Sequence, residues 1–201
     1  SVELPWASTL QIRSDLTSPR IQSIAAHIDH SVTKIQRYHR YLYKTDRPLS
    51  EWVIAEAAKL LPELNLIEYD GNGYYSGHSV VLPIKYATYE RLRNKEIIEG
   101  EITRDDLVNY TFEEKPVFYG YSLYADCNDN IHFIMNSVNK FFQNLNGYLF
   151  TGLAVRPDAI QLLKDLGLKK VWEADETQVI DGVEFRPVFM EGDFSKFGQG
   201  N

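Results

Sequence analysis

The sequence predicts an α+β fold built on a mixed, mostly antiparallel sheet that carries helices. Three observations point there. Lys115–Asp126 (Lys-Pro-Val-Phe-Tyr-Gly-Tyr-Ser-Leu-Tyr-Ala-Asp) and Gly147–Arg156 are apolar, aromatic-rich runs of strand length, and a helix-like pattern follows each. That order is how a parallel pair joined by a crossover helix reads in sequence. Leu64–Tyr69 and Gly77–Ile84 flank Asp70-Gly71-Asn72-Gly73, which is hairpin turn chemistry, and Val171–Ala174 and Val183–Phe189 flank Asp181-Gly182 in the same way.

Length and composition narrow the classes. A chain of 201 residues without a Gly/Ser/Pro-rich linker is expected to form a single domain, 1–201, with an N-terminal half over 8–114 and a core with a C-terminal hairpin over 115–190. The net charge of -7 argues against a nucleic-acid backbone as the main ligand, because a phosphate-binding face needs clustered Lys and Arg. One cysteine, Cys127, excludes an internal disulfide. There is neither a secretory h-region nor a run of about 18 apolar residues, so the expected compartment is the cytoplasm, away from membranes. The chain opens on Ser1 rather than Met, as a processed or trimmed chain does.

In chain order, Ser8–Ser14 alternates, with Leu10 and Ile12 on one face, and predicts a first strand. Ser18 as cap and Pro19 at the first helical position open a helix. Ile21, Ile24, Ile28, Val32, Ile35 and Leu42 then recur at helical intervals to about Tyr43. The outer face of that helix carries His27, His30, Lys34, Arg37, His39, Arg40 and Lys44, which reads either as a solvated face or as an anion or partner contact. The same 19–43 helix is where a homo-oligomer would form. His27 and His30 have no acidic or Cys ligand at matching spacing, so no metal site is expected.

Ser50 caps a second helix whose Leu49, Val53, Ala57, Leu60 and Leu61 face inward, and Pro62 ends it. After the first hairpin, Tyr86–Ile97 is helical by propensity and Gly100 stops it. Thr103-Arg-Asp-Asp106 has the spacing of a capped short helix. These pieces form an insertion ahead of the aromatic strand at 117–125.

Written out, the order is strand, long helix, helix, strand, strand, strand, helix, strand, helix, strand, strand. That order resembles the GNAT superfamily of acyl-CoA-dependent N-acyltransferases. Thr9-Leu-Gln-Ile-Arg13 followed by a helix looks like the family's opening. Gly77–Ile84 with Tyr89-Glu-Arg-Leu and Gly100–Leu107 behind it looks like the third strand and the insertion of some members. Leu162-Leu-Lys-Asp-Leu-Gly-Leu168 before Lys169-Lys-Val-Trp looks like the fourth helix and sixth strand, where the family commonly has Leu-Tyr-x-x-Leu-Gly-Phe.

The resemblance implies a sheet splayed between its fourth and fifth strands, 117–125 and 148–155, with acetyl-CoA or another acyl-CoA as donor substrate. The pantetheine arm would pair with Leu123, Tyr124 and Ala125. The pyrophosphate would sit on amides at the start of the next helix, around Asn128, Asn130 and Ile131, where N–H groups and the helix dipole converge. Two departures mark a divergent member. The usual glycine-rich pyrophosphate loop is replaced by Asp126-Cys-Asn-Asp-Asn-Ile131, and the tyrosine that often protonates the leaving thiolate falls at Leu163. Asp126 and Asp129 read as helix caps or as charges repelling a diphosphate.

No carboxylate precedes Asp126 on the aromatic strand. For an acid–base role the candidates are His78, which titrates near neutrality, and the phenols Tyr121 and Tyr124; hydrogen-bonded structure and core packing explain the same residues. His132 and the asparagines 136 and 139 are polar groups that serve equally as ligand contacts or as solvated helix positions. Cys127 has aspartates on both sides that oppose a thiolate. The expected function is N-acetyltransferase-like, with an amine acceptor on a small molecule or protein. The alternative is a catalytically inactive binding or regulatory module on the same fold.

Overall fold

The structure is a computed structural model that describes residues 20–23, 47–69, 75–111, 114–125, 128–143, 145, 147–180 and 182–193. At 20–23, 128–130, 132, 133, 158 and 180 it describes the backbone alone. Among the described residues, seven strands form one sheet: β1 (Arg20–Ser23), β2 (Leu66–Tyr69), β3 (Tyr75–Ile84), β4 (Val117–Ala125), β5 (Leu149–Ala154), β6 (Lys169–Glu173) and β9 (Val188–Asp193). Their spatial order is β1-β2-β3-β4-β5-β9-β6. The β4–β5 pair is parallel and the other five pairs are antiparallel. A separate ribbon pairs β7 (Gln178–Ile180) with β8 (Val183–Phe185).

Among the described residues, four helices lie on this sheet: α1 (Glu51–Leu60), α2 (Tyr86–Arg93), α3 (Asn128–Phe142) and α4 (Pro157–Asp165). No helix among the described residues is long and apolar enough to cross a membrane. Ser50 caps α1 by accepting from the Trp52 amide at 3.3 Å, and Pro62 follows the helix end, as the sequence predicts. Val53, Ile54, Ala57 and Ala58 form its buried stripe. Asn65, fully buried, joins the end of α1 to β3: its amide donates to the Leu61 and Val81 carbonyls at 2.8 and 3.0 Å, and its carbonyl accepts from the Val81 amide at 3.2 Å.

The core has two sides. On one, α1, α2 and the 97–107 segment cover Val80, Leu82, Tyr119, Tyr121 and Phe189. On the other, α3 and α4 cover Val81, Phe118, Phe150 and Met190. There Phe118 meets Phe142 edge-on with centroids 5.0 Å apart, and Phe142 meets Phe150 at 6.4 Å. Such pairs add roughly 0.5–1.5 kcal/mol each beyond the area they bury. They clamp the first half of β4 to β5.

Three expectations are corrected. A helix opening at Pro19 does not hold at Arg20–Ser23, which pairs antiparallel with β2, Ile21 opposite Glu68; a partner strand supplies more hydrogen bonds there than one helical turn would. The Ser8–Ser14 strand, the basic face at 27–44 and the Asp70–Gly73 turn lie outside the described residues. The helix expected over Tyr86–Ile97 stops at Arg93, where an Asn94-Lys95 turn places Lys95 at φ 60°. The strand expected over Val183–Phe189 divides at Arg186-Pro187: β8 pairs with β7, whereas β9 inserts between β5 and β6. Proline has no N–H to continue a ladder, so a strand that must change sheets changes there.

Candidate functional site

The parallel β4–β5 ladder is short. It pairs Phe118 with Phe150, Tyr119 with Thr151 and Gly120 with Gly152, and there it ends, while β4 runs on to Ala125. Two glycines at the last rung have a steric reason. A Cβ at Gly152 would lie 3.0 Å from the Gly120 carbonyl oxygen, and one at Gly120 would lie 2.8 Å from the Phe150 ring. Beyond this rung β4 and β5 no longer pair, so the sheet is splayed there.

A bulge in β4 sits at the same point. Leu82 pairs with Tyr119 and Val80 with Ser122. Leu82 and Val80 are two residues apart and share the α1 side, so Tyr119 and Ser122 share it too, although they are three apart. Tyr121 is the extra residue, and the α1 side therefore receives Tyr119, Tyr121, Ser122 and Tyr124 together. Leu123 and Ala125 turn to the α3 side, opposite Ser79 and Gly77.

On the α1 side a buried relay crosses the strands. The Tyr75 hydroxyl meets His78 Nδ1, and His78 Nε2 lies 2.7 Å from Ser122 Oγ. His78 is fully buried, and the Tyr124 ring lies over it at 5.9 Å between centroids. Tyr121 is buried in the core beside this group. Of the residues read from sequence, the structure thus brings His78 and Tyr124 together and keeps Tyr121 on their side of the sheet. Leu123 and Ala125 are half-buried at the C-terminal end of β4. Asn128 and Asn130 are in the first turn of α3, which opens three residues after β4 ends, and Ile131 is half-buried just behind them.

One pair escaped the sequence reading. Tyr119, almost wholly buried, donates its hydroxyl proton to Glu99 Oε2 at 2.7 Å. Glu99 opens the single 3-10 turn Glu99–Glu101, which is held by Glu101 Oε2 accepting from the Ile98 amide at 3.1 Å. Gly100 fits against the Arg47 carbonyl, where a Cβ would come within 2.1 Å. Burial pushes the Glu99 carboxyl up from an ordinary 4.5 to about 7, against the opposing pull of the Tyr119 hydrogen bond. Burial first and the carboxylate second push the Tyr119 phenol well above its usual value. The only sequence signal was a glutamate set between Ile97-Ile98 and Gly100, which gives no hint of a partner twenty residues on.

A second carboxylate lies on the same side. Glu191, opposite Thr151 on β9, accepts from the Tyr89 hydroxyl and from Arg93 Nε at 3.2 Å. It ties α2 to the sheet.

No protein-family model and no curated protein matches the chain. Solved structures do. Naa50 from Arabidopsis thaliana, in complex with the bisubstrate analogue CoA-Ac-MVNAL, superposes with a TM-score of 0.56 at 12% identity, covering 88% of this chain and 99% of its own. Naa20 from Chaetomium thermophilum, with a bisubstrate analogue, gives 0.55 at 7%, covering 90% and 89%. A GNAT superfamily phosphinothricin acetyltransferase from Sinorhizobium meliloti, in complex with AcCoA, gives 0.51 at 16%, covering 92% and 91%. The chain has the GNAT fold.

In GNAT terms the divergence after Gly120–Gly152 is the splay between the fourth and fifth strands. Leu163 is buried with residues of α3 in the core, and α4 holds no tyrosine. Asp126 and Cys127 lie outside the described residues.

Proposed function

We propose that the protein is an acyl-CoA-dependent N-acyltransferase that uses acetyl-CoA or another acyl-CoA as donor and an amine of a small molecule or protein as acceptor. The observation that carries this reading is the end of the β4–β5 ladder at Gly120–Gly152 with β4 continuing to Ala125 and α3 opening at Asn128. The β4 edge beyond the ladder offers extended backbone to the pantetheine amides at Leu123, Tyr124 and Ala125. The first turn of α3 offers N–H groups to the pyrophosphate near Asn128, Asn130 and Ile131. The bisubstrate analogue bound to Naa50 joins CoA to a peptide, which supports a ternary arrangement with direct attack.

A backbone N–H at the bulge is the natural donor to the oxyanion that forms as the amine adds. Tyr121 and Tyr124 are the phenols that return a proton to the departing sulfur in this reading. His78, with one ring nitrogen at Tyr75 and the other at Ser122, acts as a relay that fixes Ser122 and Tyr124. An acidic chain with one cysteine is assigned to a reducing, cytoplasmic setting. Release of free thiol from acetyl-CoA, followed across a panel of small amines and peptide N-termini, tests the reading. Acceptor-dependent release is expected; release from no acceptor while CoA still binds would leave a binding module.

A further inference from the structure

We propose that Glu99, carried in by the segment between β3 and β4, is the group that takes the proton from the acceptor ammonium, on the side of the sheet opposite α3. The inference rests on the acyltransferase reading above. In that reading the donor phosphates lie at α3, so the thioester enters from the α3 side and the amine must reach the carbonyl from the α1 side. β4 itself offers that side only phenols and a hydroxyl: Tyr119, Tyr121, Ser122 and Tyr124. Glu99 supplies the missing carboxylate. It is fixed by Tyr119, one residue before the last rung of the ladder, and Tyr121 at the bulge is close enough to raise the Tyr119 phenol electrostatically. The residues directly after Glu99, Gly100 and Glu101, line an open groove of about 810 Å³ with Trp52, Glu56, Ile102 and Asp105, next to the turn that Glu99 opens.

One oxygen of Glu99 is held by Tyr119, which leaves the other to accept a proton. Burial raises the carboxyl to about 7, where it exchanges protons readily at neutral pH. Among the described residues, Glu191 of β9, on the same side, is held by Tyr89 and Arg93. Tyr119 and Tyr121 come from β4, Arg47 ahead of α1 pairs with Glu101 at 3.6 Å, and Arg104 pairs with Glu56 of α1 at 3.7 Å.

The step balances. The acceptor arrives as an ammonium and gives one proton to Glu99; the freed lone pair forms the C–N bond to the thioester carbon; the C–S bond breaks; and the sulfur leaves with the electron pair. A second proton from the nitrogen passes to the sulfur through Tyr121 or Tyr124. Glu99 then returns its proton to water, so ammonium and acyl-CoA become amide, CoA thiol and one released proton.

The experiment is the pH profile of kcat/KM by thiol release for the wild type, Glu99→Gln and Tyr119→Phe, each first titrated with acetyl-CoA. Glu99→Gln is expected to bind acetyl-CoA as the wild type does and to lose about a hundredfold or more in kcat/KM, with the acid limb near neutrality gone. Tyr119→Phe removes a hydrogen bond that favours the ionised carboxylate, so its acid limb is expected at higher pH with turnover retained. A purely structural glutamate would leave the limb where it is in both variants, and that result overturns the proposal. If the wild type binds no acetyl-CoA, the acyltransferase reading fails and this assignment falls with it. If Glu99→Gln does not fold, the Tyr119→Phe limb decides alone.

Discussion

Glu99 meets Tyr119 only because twenty residues of chain fold back over the sheet, and that meeting has a thermodynamic sign. Its carboxyl rises from 4.5 to about 7 on folding, so the native state holds the proton more tightly than the unfolded state. Its contribution to stability is therefore greatest below its unfolded value and is lost as pH rises through about 7. Glutamine keeps the shape without the charge. Glu99→Gln is expected to gain thermal stability over the wild type as pH is raised from about 5 to about 8, read as a widening difference between the two melting temperatures; a flat difference would mean the carboxyl is solvated. At the donor end the prediction is electrostatic. Replacing Asp126 and Asp129 with asparagine removes two negative charges from the region assigned to a diphosphate and is expected to tighten CoA, each unfavourable pair being worth about 1 kcal/mol when well screened. Calorimetry reads this directly, and unchanged affinity would place the phosphates elsewhere.

At the scale of elements, the rung Gly120–Gly152 sets where the sheet opens. Gly152→Ala would press a methyl onto the Gly120 carbonyl oxygen at 3.0 Å, and that backbone must give way. A loss of about 1–3 kcal/mol in denaturant unfolding is expected, with weaker acetyl-CoA binding as the cleft reshapes; a neutral effect on both would show that the strands tolerate a wider rung. The central elements were legible in the sequence. Val117–Ala125 and Leu149–Ala154 are aromatic and β-branched runs, α3 and α4 have clean helical spacing, and Ser50 and Thr103 cap where their chemistry says. Arg20–Ser23 was not legible, because Ser18-Pro19 carries a helix-start signature and only the partner strand β2 decides otherwise. The site divides in the same way. His78 and Tyr124 were readable as polar and aromatic residues on strands, and their register made them neighbours. The Glu99–Tyr119 pair depends on where an irregular segment lands, which no periodicity encodes.

The whole molecule gives that segment a purpose. Residues between β3 and β4 cover the α1 side and reach across to the far strands, through Trp172 Nε1 donating to the Arg93 carbonyl at 2.8 Å and Arg93 meeting Glu191. Lys95 sits 4.7 Å above the Trp172 ring, which itself stacks on Phe189 at 5.1 Å. Two carboxylates of this side, Glu99 and Glu191, are thus anchored to tyrosines within one framework. The framework leaves β4 beyond Gly120 without pairing to β5, and that is where the proposed donor would lie. The decisive measurement is a calorimetric titration of acetyl-CoA and free CoA into the protein, paired with a thermal shift at about a hundredfold the measured Kd, where a native-state ligand adds about 2.7 kcal/mol. Saturable one-to-one binding and a raised melting temperature are expected for both. Absence of heat and of shift for both would contradict the acyltransferase reading, leaving a GNAT fold whose cleft serves something other than acyl transfer.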